Sequence, residues 1–187
     1  LFRSVADLAG GGTKAPFDAI GDTLRGTKGI MLDMYRHPDA LLEACERLVP
    51  VMIKLAVGAV NQTKVPLVFI PLHKGADGFM SNEQFQKFYW PTLKQVIDGL
   101  VAEGLVPQLF AEGGYNQRLE LIRDVPEGKV IWWFDQTDMQ RAKEVLGDVA
   151  CIAGNVPGAL MAAGTPDEIN AYCKELIDTV GQDGGFI

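Results

Sequence analysis

Six polar residues stand where chemistry could be done: His73, Lys74, Glu112, Asp135, Asp138 and Asn155. Each follows a short apolar run closely, at residues 65–72, 105–110, 130–134 and 149–153. An imidazole with an unperturbed pKa near ~6.5 suits His73 to metal ligation or proton transfer, and equally to a loop hydrogen bond with a backbone carbonyl. Glu112 lies in Phe110-Ala111-Glu112-Gly113-Gly114, where the glycines let the chain turn and approach a substrate. Its carboxylate could hold a divalent metal or act as a general base, or else cap a turn or pair with Lys74. Asp135 sits directly at the end of its run. Asp138 stands where it can cap a helix beginning at Met139, which by itself accounts for it. Asn155, in Gly154-Asn155-Val156-Pro157, could take a left-handed turn conformation or orient a substrate through its amide. Lys74 and Asp135 stand as catalytic candidates, Asn155 and Asp138 as candidate substrate contacts, and Glu112 with His73 as candidate metal ligands.

The elements that must position these groups alternate along the chain. Residues 1–30 are glycine-rich and weakly patterned, more loop than element. Pro38, after His37, marks a helix start with His37 in a capping role, and Pro50 should kink or break that helix. Residues 65–72, bounded by proline, form a buried strand. Ser81-Asn82-Glu83-Gln84 is a capping-box pattern opening a helix that Pro91 should bend. A strand at 105–110, a short amphipathic segment at 116–123, a strand at 130–134, a helix at 139–146 and a strand at 149–153 follow. Thr165-Pro166-Asp167-Glu168 opens a last helix running to about Val180, and 184–187 begins a further strand. Such alternation predicts parallel strands with helical crossovers, in an α/β protein. An open doubly wound sheet and a (β/α)8 TIM barrel both fit that order. No Gly-x-Gly-x-x-Gly or phosphate-loop lysine motif follows a strand. A full barrel takes about 250 residues, so roughly five strand–helix units point to an incomplete C-terminal portion of one, with residues 1–187 as a single partial barrel domain.

Composition narrows the partners. Among 187 residues, 17 Lys+Arg against 24 Asp+Glu leave a formal charge of -7, which disfavours nucleic acid and anionic membranes as partners. The 48% hydrophobic and 22% charged content is that of a globular chain able to bury a core. Cys45, Cys151 and Cys173 are too few and too scattered for a disulfide framework or a cysteine metal site, and the expected compartment is the reducing cytoplasm. Cys45 and Cys173 fall in helices and Cys151 in a buried strand. The paired Trp132-Trp133 reads as core. The start at Leu1 and the apolar close Gly184-Gly185-Phe186-Ile187 suggest a piece of a longer protein.

The order of segments resembles the C-terminal part of the uroporphyrinogen decarboxylase superfamily. The matching text is Leu24 through Gly29 with Asp33-Met34-Tyr35-Arg36-His37-Pro38, then Phe79-Met80-Ser81 with residues 85–91. Residues 104–113, Ala153 through Pro157, Gly164 through Glu168 and the closing Gly184 through Ile187 complete it. The resemblance implies a (β/α)8 barrel and one of two chemistries. Decarboxylases of the family remove acetate carboxyls from uroporphyrinogen, a step of porphyrin biosynthesis, without a cofactor and usually as homodimers. Their Phe-Asp-Ser stretch is replaced here by Phe69 through His73, and their Gly-Asn-x-Asp-Pro by Gly154-Asn155-Val156-Pro157. The other branch comprises zinc-dependent methyltransferases that exchange methyl groups with a corrinoid carried on a partner protein. Their His-x-Cys ligand pair falls on Phe110 and Glu112. A carboxylate in the thiolate's place makes a harder zinc site, suited to an oxygen or nitrogen substrate, with His73 as the second ligand. The resemblance thus implies corrinoid-linked methyl transfer first, decarboxylation second, and a non-catalytic tetrapyrrole- or corrinoid-binding barrel third.

Overall fold

A computed structural model describes residues 9–187. The structure has five strands: β1 (Gly11–Gly12), ahead of the four apolar runs, and along those runs β2 (Leu67–Leu72), β3 (Val106–Ala111), β4 (Ile131–Phe134) and β5 (Cys151–Ala153). They form one sheet in the order β1-β2-β3-β4-β5, and every neighbouring pair is parallel. A doubly wound sheet reverses its strand order at a switch point, whereas a barrel adds strands in sequence. The chain is therefore a partial (β/α)8 barrel. Phe186 forms a parallel bridge to Ile152 beside β5, where a further strand was expected from residues 184–187.

The helices are α1 (Pro16–Ala19), α2 (Thr27–Arg36), α3 (Pro38–Thr63), α4 (Asn82–Gln84), α5 (Trp90–Ala102), α6 (Leu119–Ile122), α7 (Met139–Leu146), α8 (Gly158–Ala163) and α9 (Pro166–Val180). Burial alternates strictly along β2 and β3. Val68, Ile70, Leu72, Leu109, Trp132 and Ile152 are buried on the face covered by α3, α5 and α7, while Phe69, Phe110 and Trp133 lie half-buried on the opposite face. Trp132 is thus core, as expected of the tryptophan pair, and Trp133 is not. Cys45 is buried, which pushes its thiol up to about 12. Cys151 is half-buried, because it starts its strand on the less covered face. Among the described residues no helix is long and apolar enough to cross a membrane.

Three expectations about helices need correction. Residues 9–30 are not loop: they contain β1, α1, a π-helical turn over Ile20–Leu24 and the start of α2, while residues 1–8 lie outside the described residues. The glycine run masks a strand because its two residues fit flush against α3, and Pro16 opens α1 as a first-turn proline. Pro50 does not break α3, which continues for 26 residues; tertiary packing of Cys45, Val49, Met52 and Ala56 outweighs the lost hydrogen bond. His37 occupies the N-cap position of α3, but its side chain makes no cap hydrogen bond.

Other local signals are realised directly. Ser81 and Gln84 form a reciprocal capping box. A π-helical turn over Phe85–Tyr89 then precedes α5, so Pro91 falls at the start of an α-helical stretch, where its missing N–H is tolerated. Thr165 accepts from the backbone N–H of Glu168 at 3.3 Å, while Glu168 accepts from the Thr165 N–H at 2.8 Å. Replacing Thr165 by alanine is expected to lower stability by about 1 kcal/mol, read as a shifted urea midpoint with unchanged slope.

Candidate active site at the strand ends

Parallel strands in register carry their C-terminal residues to one edge. Pro71 pairs with Phe110, Phe110 with Trp133, and Trp133 with Ala153. Two residues further along these strands come His73, Glu112, Asp135 and Asn155, so the backbone brings all four to the same rim. Their side chains divide into two groups.

The first group is centred on Asp22, in the π-helical turn. His73 Nδ1 lies 2.6 Å from Asp22 Oδ2, and Lys14 Nζ donates to the same oxygen at 2.7 Å. The Lys74 ammonium donates to the other carboxylate oxygen. Partial burial opposes the charge of Asp22, but hydrogen bonds from Lys14, Lys74 and His73 outweigh it and hold the carboxyl well below the usual range. A hydrogen on Nδ1 shared with Asp22 leaves His73 Nε2 facing outward, 3.9 Å from Glu112 Oε1. Lys74 pairs with Asp22 and not with Glu112, because its side chain turns to the buried side of β2 while that of Glu112 faces the mouth.

Beneath this group lies Asp18 of α1, fully buried. It accepts from the backbone N–H groups of His73 at 3.0 Å and Lys74 at 3.1 Å, and from the Tyr89 hydroxyl at 2.6 Å. Burial raises its carboxyl to about 6, against the lowering effect of these donors. Asp18 thereby fixes the peptide that carries both His73 and Lys74. Sequence reasoning missed Lys14, Asp18 and Asp22. All three follow a strand only two glycines long, and the one usable signal was Pro16 with an acid two residues on, a helix start.

The neighbouring loop is tied down from the next strand. Asp135 Oδ2 accepts from the Gly113 N–H at 3.0 Å, holding the segment that bears Glu112. The Asp135 side chain is half-buried at the rim. Arg118, also missed, is completely buried and donates to the carbonyls of Gly75 and Met80 at 3.2 and 2.5 Å, and to Asn82 Oδ1. Its guanidinium lies 4.8 Å from the centre of the Phe85 ring, and its Nε is 3.7 Å from the Asp77 carboxylate.

The second group lies beside the first. Asn155 donates to the Thr137 carbonyl at 2.6 Å and accepts from the Tyr172 hydroxyl of α9. Asp138 caps α7 through the Arg141 N–H at 3.0 Å, as expected. With Thr137, Glu175 and Thr179 they line a separate cleft of about 270 Å³. The left-handed turn predicted for Asn155 belongs to Gly154, at φ +98°, where an added Cβ would meet the Phe134 carbonyl at 2.3 Å. Asn155 and Asp138 are therefore placed apart from His73 and Glu112.

A divalent metal fits part of this chemistry. His73 Nε2 is oriented by a carboxylate behind it, and Glu112 faces it across a gap somewhat wider than the roughly 3.4 Å between two ligands of one tetrahedral zinc. Among the described residues no three His, Cys, Asp or Glu side chains are grouped to hold a metal, so a metal here would have at most His73 and Glu112 as protein donors.

The uroporphyrinogen decarboxylase (URO-D) family model matches residues 8–187. No curated protein matches the chain significantly. Among solved structures, a methyltransferase from Methanosarcina mazei superposes with a TM-score of 0.76 at 21% identity, over 90% of this chain and 49% of that one. The chain spans about half the length of that structure, and the likeness at this identity is one of fold.

Proposed function

This chain belongs to the uroporphyrinogen decarboxylase family, and on that premise we propose that it is part of an enzyme of zinc-dependent methyl transfer linked to a corrinoid on a partner protein. The observation that carries the reading is His73 Nε2, backed by Asp22 and facing Glu112 at 3.9 Å across the barrel mouth. The fold shared with a methyltransferase supports it. His73 and Glu112 would hold the metal. Zinc held there would supply Lewis acidity toward an oxygen or nitrogen of the methyl acceptor, or of the leaving group on a methylated substrate.

The remaining work falls to the protein's own groups. Asp22 fixes the imidazole so that Nε2 keeps its lone pair toward the mouth. Lys74, buried and paired with Asp22, keeps positive charge beside the rim and balances the carboxylates that gather there. Asp135 positions the Glu112 loop through the Gly113 N–H and leaves its second oxygen for substrate. Asn155 and Asp138, in the adjoining cleft, are placed to contact a more distant part of a substrate.

Elemental analysis of the purified protein tests this. About one zinc per chain is expected, with affinity at least about tenfold lower in Glu112→Gln and about 10- to 100-fold lower in Asp22→Asn. A metal-free protein, or full zinc content in Glu112→Gln, overturns the reading. The second reading, decarboxylation, is favoured by Lys14 and Lys74 converging on one carboxylate, since a substrate carboxylate could take the place of Asp22 there. Loss of carboxyl groups from a porphyrinogen on incubation would select it.

A further inference from the structure

We propose that the surface formed by the π-helical turn and α2 docks an acidic amphipathic helix of a partner protein, with one apolar side chain seated in the recess beside α3. The recess holds about 390 Å³ and is lined by Ile20, Leu41 and Ala44, with Leu24, Arg25 and His37 around it. Ala40 and Ala44, one turn apart on α3, carry only a methyl group each, which leaves the hollow open. Its lining runs from residue 20 to residue 44, inside the connection from β1 to β2, so neither wall is an edge of the partial sheet. Leu24 is 70% and Tyr35 73% exposed, and with Leu32 they make three of the eight large apolar side chains that stand exposed among the described residues. Exposed apolar area is thus concentrated around this recess, as at a protein-binding surface.

The charges define the partner. Residues 25–37 set Arg25, Lys28 and Arg36 against Asp33, a net charge of +2 with His37 neutral, in a chain whose total is -7. Arg25 is paired with Asp33 at 2.6 Å, whereas Lys28 and Arg36 enter no ion pair among the described residues. Lys28, Leu32, Tyr35 and Arg36 recur at helical spacing, so the two unpaired cations flank the two apolar side chains on one exposed face of α2. The Tyr35 hydroxyl accepts from Gln84 Nε2 at 2.8 Å, which steadies its ring. A helix that is apolar along its middle and acidic at its flanks complements all of these groups. Two other occupants fit worse. An anionic membrane is recognised by clusters of about 4–8 Lys/Arg and has no use for a recess. A second copy would set one charge of -7 against another, and its acidic helix α9 already commits Glu168 to its cap and Asp178 to Lys174.

Fluorescence anisotropy of a labelled amphipathic helical peptide, with leucine and phenylalanine on one face and glutamate at its flanks, tests the surface on the full-length protein. Binding is expected to be saturable and at least about tenfold tighter than for the same peptide with lysine in place of glutamate, or with serine in place of leucine and phenylalanine. Lys28→Glu combined with Arg36→Glu should weaken it about tenfold or more. Ala40→Leu, which fills the recess and leaves the charges in place, should weaken it about 3- to 10-fold. All three positions are exposed, and an unchanged urea midpoint reports that each variant is folded. Equal affinity for the glutamate and lysine peptides, unchanged affinity in either variant, or preferential binding to phosphatidylserine vesicles overturns the proposal. So does a dimer in sedimentation that Leu24→Glu dissociates, because a second copy would then be the occupant. His73 and Glu112 take no part in this contact, so the result is independent of whether zinc is bound there.

Discussion

Replacing Arg118 by methionine is expected to destabilise the protein by about 3–5 kcal/mol, a large share of the roughly 5–15 kcal/mol that holds a domain together. Methionine can fill much of the space against Phe85, so the loss is chiefly polar. The guanidinium is the donor for the carbonyls of Gly75 and Met80 and for the Asn82 side chain, all in the segment that leads from β2 to α4. Each buried acceptor left without a donor costs about 1–3 kcal/mol. Asp77 aggravates the loss, because its Oδ1 is buried without a hydrogen-bond partner and has only the nearby Arg118 charge for compensation. Lysine at 118 should recover less than half, since one ammonium cannot span acceptors arranged for a planar fork. Urea denaturation followed by circular dichroism measures the effect. A loss below about 1 kcal/mol would show that water replaces the guanidinium without penalty.

The second large effect is a pH dependence set by Asp18. Its folded carboxyl lies near 6, raised by burial from an ordinary value of 3.8. Between those limits the folded state holds more protons than the unfolded one, so stability must fall as pH rises. The interval corresponds to about 3 kcal/mol, present in full below pH ~4 and lost above pH ~6. Asp22 acts in the opposite sense: its folded carboxyl is depressed, so its stabilisation is present above the ordinary carboxyl range and is lost as the solution becomes more acid. Comparison with Asp18→Asn separates the two. The stability difference between wild type and variant should shift by about 2–3 kcal/mol against the wild type from pH 4 to pH 7. Urea curves at each pH that run parallel for the two proteins would sink the expectation.

Much of the barrel is legible in the amino-acid pattern because its strands are short apolar runs cut off by proline, glycine or charge. Val65 through Leu72 and Val130 through Phe134 announce themselves in this way, and Ser81, Asp138 and Thr165 mark helix starts through side chains that physically cap them. The first strand is hidden for the same reason: Gly11 and Gly12 carry no side chain, so no hydrophobic signal exists to read. The strand-end rule finds His73 and Glu112, since a fixed number of residues separates a strand from its rim. It cannot find Asp18 or Asp22, which reach the rim through a helix and a π-helical turn, nor Arg118, whose partners lie 36 to 43 residues away. Asn155 is a different case. Its position is foreseen, but its side chain is drawn to Thr137 and Tyr172, contacts that depend on how α9 packs.

The glycine run at the first strand behaves as a spacing gauge. A methyl group added at Gly10 would come within 1.7 Å of the Val65 carbonyl, and one at Gly11 would press on Ala56 and Ala59 at 3.1 Å. A substituent there must wedge the long third helix away from the sheet margin. Lys14 and the turn bearing Asp22 hang from that same margin only a few residues downstream, so the wedge would swing the carboxylate off the imidazole it steadies. Bulk introduced at a place with no chemistry of its own would thus reach the reactive rim as a lever arm.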